Sequence, residues 1–317
     1  MSRILLTGVN GQLGQELQRT LAPLGEVIGV GRTTMDLTQD TSIRQVIVEV
    51  KPDLIVNAAA YTAVDKAETE TEQARLINAT APKCMAEEAQ RLGATLIHIS
   101  TDYVFDGRKN TPYTEEDTPN PIGVYGQTKL EGEEGIRQTC ESHLIFRTAW
   151  VYGTYGKVNF VKTMLRLFAE REEVRVVADQ VGAPTWAADL AEAIQAHASR
   201  FPNAKLPTQE SQDPEQPFIP TGTYHYTNSG VASWYDFAQA IFEEAKPLGF
   251  PLKVQRIVPI TTEEYPTPAK RPAYSVLSGK KISAVLGSHP PYWRQGLKKM
   301  LVELYSYTHE SNYSIGR

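Results

Sequence analysis

The sequence predicts an α/β protein: a doubly wound parallel sheet followed by a smaller C-terminal lobe. Short apolar runs alternate with stretches of helical period from residue 3 to about 199, the alternation that a parallel sheet with crossover helices requires. The first of these runs passes directly into a glycine-rich turn and then a helix, the context in which a helix N-terminus can face a phosphate. Length and composition agree, since 317 residues with 41% hydrophobic and 22% charged can bury a substantial core and leave room for a second lobe.

In chain order, Arg3–Thr7 reads as a buried strand. Gly8-Val9-Asn10-Gly11-Gln12-Leu13-Gly14 follows, and Leu13, Leu17 and Leu21 mark one face of the next helix. In such a turn Gly8 makes the bend, Gly11 lets the backbone approach a pyrophosphate, and Gly14 permits close packing of helix on strand. The spacing G-x-x-G-x-x-G departs from the usual G-x-G-x-x-G, so the motif alone is a weak signal. Val27–Val30 is the second strand. Where enzymes that prefer NAD place an acid, Gly31-Arg32 stands at its end; the Arg32 guanidinium suits a 2′-phosphate, and an exposed arginine with no ligand explains it equally well. Asp36 either sits by an adenine or starts the helix continued by Thr41-Ser42-Ile43.

Leu54–Val56 is a third strand, running into the small residues Asn57-Ala58-Ala59-Ala60, with a loop from Tyr61 and a long helix from about Thr71 to Leu92. Thr95–Ile99 is the fourth strand and carries Ser100-Thr101 to its carboxyl end, where parallel sheets bind ligands. A polar, proline-rich loop over Asn110–Pro121 is placed to cover a site. Leu144–Phe146 is the fifth strand. It leads to Arg147–Gly153, in which Trp150 reads as a substrate platform or as a core residue. Phe160–Arg171 is helical, Val174–Val177 reads as a sixth strand, and a helix spans about Trp186–Ser199. The chain then changes character. Residues 203–220 read as a proline-rich, polar insertion, followed by short strands at Thr223–Thr227 and Val254–Val258 and helices capped at Ser233, near Lys280 and from Trp293. The expected division is a dinucleotide-binding unit over 1–147 with roughly 172–200, and a substrate-binding lobe over 148–171 and 201–317.

A formal net charge of -5 and a pI near 5.8 argue against a nucleic-acid binder or an anionic-membrane binder. Cys84 and Cys140 form no paired motif and fit unpaired buried thiols in a reducing compartment. No apolar run approaches the ~18 residues of a membrane span, and the start lacks a signal peptide's apolar core, so a cytoplasmic location is expected. The six histidines show no ligand-like pair, which disfavours a catalytic metal and makes structural roles the better reading for them.

Tyr125 and Lys129 lie four apart on a predicted helix and so share a face. A phenol beside an ammonium is a proton-transfer pair, in which the cation is expected to lower the phenol's pKa towards a working pH. The spacing is common by chance. Its weight comes from Thr101 and the glycine turn.

With those three features in order, the chain resembles the extended short-chain dehydrogenase/reductase family, which has a Rossmann-like fold. Four longer runs, Ser100–Gly107, Asn57–Glu68, Phe146–Tyr152 and Asp179–Thr185, resemble the dTDP-4-dehydrorhamnose reductases within it. The resemblance spans residue 3 to about 305 without 203–220. It implies NAD(P)H-dependent reduction of the C4 ketone of dTDP-4-dehydro-6-deoxy-L-mannose to dTDP-L-rhamnose, the last step in making that sugar donor. Carried over by motif, Tyr125 is the proton donor, Lys129 lowers its pKa and holds the nicotinamide ribose, and Thr101 hydrogen-bonds the reacting carbonyl. Gly11, Gln12, Leu13, Asp36, Leu37, Ala60, Tyr61 and Thr62 match cofactor contacts, and Thr101, Asp102 and Trp150 match sugar-nucleotide contacts. NADPH is the expected cofactor, with NADH also used by some members. A homodimer is compatible with the family. Magnesium-linked dimerisation is not expected, because Glu16 matches one ligand position while Trp186-Ala187-Ala188-Asp189 lacks another glutamate. The competing readings are a different nucleotide-sugar reductase or epimerase, or a non-catalytic NADP-binding regulatory subunit. The retained Tyr125/Lys129 pair disfavours the subunit. Arg271 is a candidate diphosphate contact.

Overall fold

The structure is a computed structural model and describes residues 2–199 and 221–314. Its first part runs β1 (Ser2–Thr7), α1 (Gln12–Leu21), β2 (Gly25–Val30), α2 (Asp40–Val50), β3 (Leu54–Asn57), α3 (Val64–Ala67), α4 (Thr71–Arg75), α5 (Ala81–Leu92), β4 (Thr95–Thr101), α6 (Val124–Thr139) and β5 (His143–Thr148). It continues with β6 (Val151–Tyr152), α7 (Phe160–Glu170), β7 (Glu173–Val177), β8 (Val181–Gly182), β9 (Thr185–Trp186) and α8 (Ala187–Ala198). Beyond residue 220 come β10 (Gly222–His225), β11 (Ala232–Ser233), α9 (Trp234–Ala245), β12 (Arg256–Ile260), α10 (Lys280–Leu286) and α11 (Trp293–Ser314).

Six strands form one parallel sheet in the order β10-β5-β4-β3-β1-β2. Successive side chains on β1 point to opposite faces, and both faces are covered. Ile4 and Leu6 pack with Leu17, Leu21, Leu190 and Ile194 of α1 and α8, while Leu5 packs with Ile43, Ile47, Met85 and Ala89 of α2 and α5. A second core joins Phe168, Val174, Phe237, Ile241, Leu297 and Leu301 from α7, β7, α9 and α11. Cys84 and Cys140 are free and buried. Among the described residues, no helix is long and apolar enough to cross a membrane.

Two expectations change. The strand expected at Val174–Val177 exists as β7 but pairs with β12 outside the main sheet. Its alternation is the reason: Val174 and Val176 are buried while Glu173 and Arg175 are exposed, so only one face is covered. The sixth place belongs to β10, beside β5 with Tyr224 opposite Phe146. The long helix expected at Thr71–Leu92 is continuous but contains a π turn at Leu76–Thr80. The later strand falls at Arg256–Ile260, and the 203–220 insertion lies outside the described residues. Ser233 caps α9 in a reciprocal box with Asp236, as its sequence signals.

The proline-rich loop is docked against this frame. Tyr113 stacks on Phe105 at 4.2 Å between centroids, and the Tyr113 carbonyl meets the His225 Nδ1 at 3.0 Å. Helix α6 is seated on the sheet by a buried ion pair. The Glu133 carboxylate accepts from Arg147 Nη2 of β5 at 2.6 Å and from the Ser100 hydroxyl of β4 at 2.5 Å. Burial pushes the Glu133 pKa up, but the hydrogen bond and charge of Arg147, with the Ser100 hydroxyl and the Arg137 charge, together hold it below the usual range.

Removing one partner of such a pair strands a buried charge. Arg147→Met should therefore cost about 3–5 kcal/mol, read as a lower denaturant midpoint, and a Glu133→Met/Arg147→Met double variant should recover most of it. An unchanged midpoint in the single variant would refute this seating.

Candidate active site

The carboxyl ends of β1, β3, β4 and β5 lie in register, with Thr7 opposite Asn57, Asn57 opposite His98, and Thr101 opposite Thr148. The residues that follow these strands therefore meet at one edge: Gly8, Ala58–Ala60, Asp102 and Trp150. Between β1 and β3 the connections leave in opposite directions, which opens a crevice there. Gly8 has φ +73°, and an added Cβ would lie 2.8 Å from the Ala58 carbonyl. At Gly14 a Cβ would fall 2.0 Å from the Gly8 oxygen, so only glycine lets α1 approach the turn.

Gly11 is different: an added Cβ meets nothing closer than the Gly8 oxygen at 3.2 Å. It is the N-cap of α1, whose first turn holds Gln12 and Leu13 with no side-chain cap and no acid. Those amides and the helix dipole suit an anion, and so the turn fits a dinucleotide pyrophosphate. The Gln12 side chain donates to the Val151 carbonyl at 2.9 Å and fastens α1 to the strand beyond Trp150.

Arg32 and Thr62 are exposed and Leu37 and Ala60 half-buried. Asp36 does not start α2. Its carboxylate accepts from the Thr38 amide and hydroxyl at 2.9 and 2.8 Å, which holds its pKa below the usual range. Tyr61 is clamped by Asn78 in the π turn, where Oδ1 accepts from the Tyr61 amide at 2.9 Å and Nδ2 donates to its carbonyl at 3.1 Å. The Asn78 Nδ2 also reaches the Thr128 hydroxyl of α6 at 3.3 Å. A π turn at such a place is a common functional device.

Helix α6 carries Tyr125 and Lys129 to the same edge. Glu68 receives the Val124 amide at 2.9 Å and so satisfies the helix start with a negative charge. A Cβ at Gly126 would lie 2.1 Å from the Tyr103 carbonyl, so α6 presses directly on the segment after Thr101. The Tyr103 and Tyr125 rings meet edge to face at 5.4 Å. Burial pushes the Tyr125 phenol up to about 12; a hydrogen bond with Thr101 pulls it down and the Asp102 charge pushes it up. This corrects the expectation that Lys129 would lower it. The Lys129 ammonium is engaged elsewhere, donating to the Ile99 carbonyl at 2.6 Å and meeting the His98 Nε2 at 3.1 Å. Burial lowers its own pKa to about 8, with Glu133 opposing.

Thr101 donates to the Asp102 Oδ1 at 3.0 Å, and burial raises that carboxyl to about 6 against the pull of the Ser275 and Thr101 hydroxyls. Phenol, hydroxyl and carboxyl thus stand together at the strand edge, with the Lys129 ammonium held behind them on the Ile99 carbonyl and His98.

Comparison with known proteins decides the family. The RmlD substrate binding domain model matches residues 1–306. The dTDP-4-dehydrorhamnose reductase of Escherichia coli K12 is 46% identical over 309 residues, covering 96% of this chain and 99% of the relative. The chain belongs to the dTDP-4-dehydrorhamnose reductase family. A crystal structure of dTDP-4-dehydrorhamnose reductase from Bacillus anthracis in complex with NADP superposes with a TM-score of 0.83 at 39% identity, covering 95% of this chain and 99% of that one. UDP-glucose 4-epimerase of Thermotoga maritima, at 18% identity and a TM-score of 0.75, shares the fold.

Within this member of the dTDP-4-dehydrorhamnose reductase family, Trp150 is half-buried at the strand edge. Its backbone is in the left-handed region at φ +48°, a strained conformation for so large a residue, and its ring stacks on Trp234 at 3.5 Å. Arg271 pairs with Asp65 at 2.8 Å and donates to Thr267, which binds its loop to the segment after β3. Glu16 is buried and accepts from Arg19 at 3.0 Å; its pKa is raised chiefly by burial, with Glu303 and Glu192 near enough to add to this. Among the described residues no three His, Cys, Asp or Glu side chains gather as a metal site.

Sequence reasoning missed His98, Asn57, Thr7 and Asn78 as site neighbours. They are polar residues inside or just after apolar runs, and that exception was the available signal.

With its phenol near 12, Tyr125 should stay protonated in the ligand-free protein. The ultraviolet phenolate difference between parent and Tyr125→Phe should be absent below pH about 10. A Tyr125 phenolate band at neutral pH would contradict the site as described.

Proposed function

We propose that this chain reduces the C4 ketone of dTDP-4-dehydro-6-deoxy-L-mannose to dTDP-L-rhamnose with NADPH. The observation that carries the reading is the meeting of Tyr125 and Thr101 at the strand edge beside the Gly8–Gly14 turn, in a chain of this family. Bound NADPH supplies the hydride. Gly8, Gly11, Gln12, Leu13 and Gly14 would hold its pyrophosphate. Arg32, Asp36 and Leu37 would meet the adenosine end, and Ala60, Tyr61, Thr62 and Lys129 the rest.

Tyr125 then donates its proton to the sugar oxygen as charge develops there. A sugar alkoxide is far more basic than a phenolate, so a phenol near 12 is still a competent acid for it. Thr101 holds the carbonyl oxygen beside the phenol. Asp102 and Trp150 are assigned to the sugar nucleotide. The Arg32 side chain favours a 2′-phosphate over none, with NADH as the lesser substrate. A cytoplasmic homodimer without an intersubunit magnesium completes the reading.

The test is to supply dTDP-4-dehydrorhamnose with NADPH or NADH and follow the reduced nicotinamide. Consumption that depends on the sugar is expected, faster with NADPH. Tyr125→Phe should lower turnover about 100-fold or more, the scale of general acid catalysis, while NADPH binding persists. Parent-like turnover in Tyr125→Phe would overturn the assignment.

A further inference from the structure

The indole of Trp150 has both of its faces covered. On one, Trp234 lies parallel to it, with 3.5 Å between ring centroids and 8° between planes. On the other lies Gly182 of β8. A Cβ added at Gly182 would stand 2.7 Å from Trp150 Cε2 and 2.9 Å from both its Cζ2 and its Nε1. Three bonded ring atoms at nearly one distance place Gly182 over the ring plane. No Trp234 atom comes nearer to that Cβ, so Gly182 holds the face turned away from Trp234.

Both jaws come from one ribbon. Strands β8 and β11 pair antiparallel with Gly182 opposite Ala232, and Ser233 keeps an extended backbone at φ -80° and ψ 167°. Trp234, two residues past Ala232, therefore points to the same side as Gly182 and lies diagonally from it. Diagonal neighbours of this kind are about 7 Å apart. That is twice the 3.5 Å of the stack, and so leaves room for one flat ring. Each part of the clamp is braced. Phe160 backs Trp234 at 4.5 Å between centroids. The Val181 amide donates to the Ala273 carbonyl and the Ser275 amide donates to the Val181 carbonyl, both at 2.8 Å, while the Ser275 side chain bonds Asp102. The Thr185 amide donates to the Trp150 carbonyl at 3.2 Å, and the left-handed backbone of Trp150 persists inside this frame.

We infer that Trp234 and Gly182 are positioning residues for the substrate: they clamp Trp150 so that it offers the sugar its indole edge, with Nε1–H as donor to a hexose oxygen, and no stacking face. This deepens the reductase reading above and rests on it.

An indole N–H donates and never accepts. Trp186 and Trp293 bury theirs, whereas the Trp150 Nε1–H is accessible and bonds nothing among the described residues. Thr148 stands opposite Thr101, and Trp150 lies two residues beyond Thr148. The edge is thereby brought to the sugar ring whose carbonyl Thr101 would hold. A ring gripped on both faces has little rotamer freedom left to lose when it meets that oxygen. With one jaw removed, the indole can tilt and turn its N–H away.

Titration calorimetry of the NADP-bound protein with dTDP-L-rhamnose, and separately with dTDP, tests the clamp. Trp234→Leu should weaken dTDP-L-rhamnose binding about tenfold, the equivalent of one hydrogen bond, and leave dTDP and NADP affinities unchanged. Trp234→Phe, whose ring can still stack, should keep most of the affinity. Gly182→Ala leaves Trp234 in place but sets a methyl against the ring, and should weaken dTDP-L-rhamnose as Trp234→Leu does. Unchanged dTDP-L-rhamnose affinity in Trp234→Leu, an equal loss for dTDP, or a Trp234→Phe variant no better than Trp234→Leu would overturn the inference. Should the variants fail to fold, the indole ¹H–¹⁵N signal of Trp150 in the parent decides. It should move on addition of dTDP-L-rhamnose and stay in place with dTDP, and a signal unmoved by dTDP-L-rhamnose overturns the inference. A parent that neither binds dTDP-L-rhamnose nor consumes NADPH with the dehydro sugar would instead remove the reductase reading.

Discussion

A lysine ammonium sealed between a helix and a sheet must be given acceptors, and most of this site follows from how Lys129 is given them. The Ile99 carbonyl is free for it because the pairing of β3 with β4 stops at His98, and His98 is turned to it because alternate β4 residues face α6. To reach both, the helix must lie unusually close. Glycine makes that approach possible at two points. A Cβ would come within 2.1 Å of the Tyr103 oxygen at Gly126 and within 2.2 Å of the Asn78 oxygen at Gly132. The same contacts bring Tyr125 over Thr101 and draw the π turn, with Asn78, against α6. The Glu133–Arg147 pair then fixes the helix along its length.

Much of this was legible in the sequence because the signals are local. The glycine turn, the strand end at Thr101 and the four-residue spacing of Tyr125 and Lys129 are each read within a few residues, and the helix cap at Ser233 within three. Long runs of family sequence named the chemistry that these short signals left open. What was not legible depends on contacts distant in the chain. Thr7, Asn57, His98 and Lys129 come from three strands and a helix, and nothing in their spacing links them. Glu173–Val177 followed the β-α alternation in order but not in space, since its half-covered face belongs to the second core. Tyr113 and His225, which dock the proline-rich loop, are likewise distant in sequence and adjacent only once β10 pairs with β5.

The electrostatics also differ from the simple picture of a cation beside a phenol. A shared helix face places the two groups side by side, but burial works against the charged form of each, raising Tyr125 and lowering Lys129. The ligand-free site therefore stores a neutral phenol and an amine near its titration point. That state is suited to delivering a proton when negative charge appears on a substrate oxygen. The surrounding shell is of the same kind. Asp102 is raised by burial, Trp150 is held in a left-handed backbone against Trp234, and Arg271 is paired with Asp65, so each candidate ligand contact is held by a neighbour.

The most direct measurement of this arrangement is a crystal structure of the protein with NADP and dTDP-L-rhamnose bound. The account predicts the Tyr125 hydroxyl and the Thr101 hydroxyl both within hydrogen-bonding distance of the sugar O4, with Lys129 still on the Ile99 carbonyl and His98. A sugar O4 out of reach of Tyr125, or a Lys129 side chain released from the sheet into solvent, would contradict it.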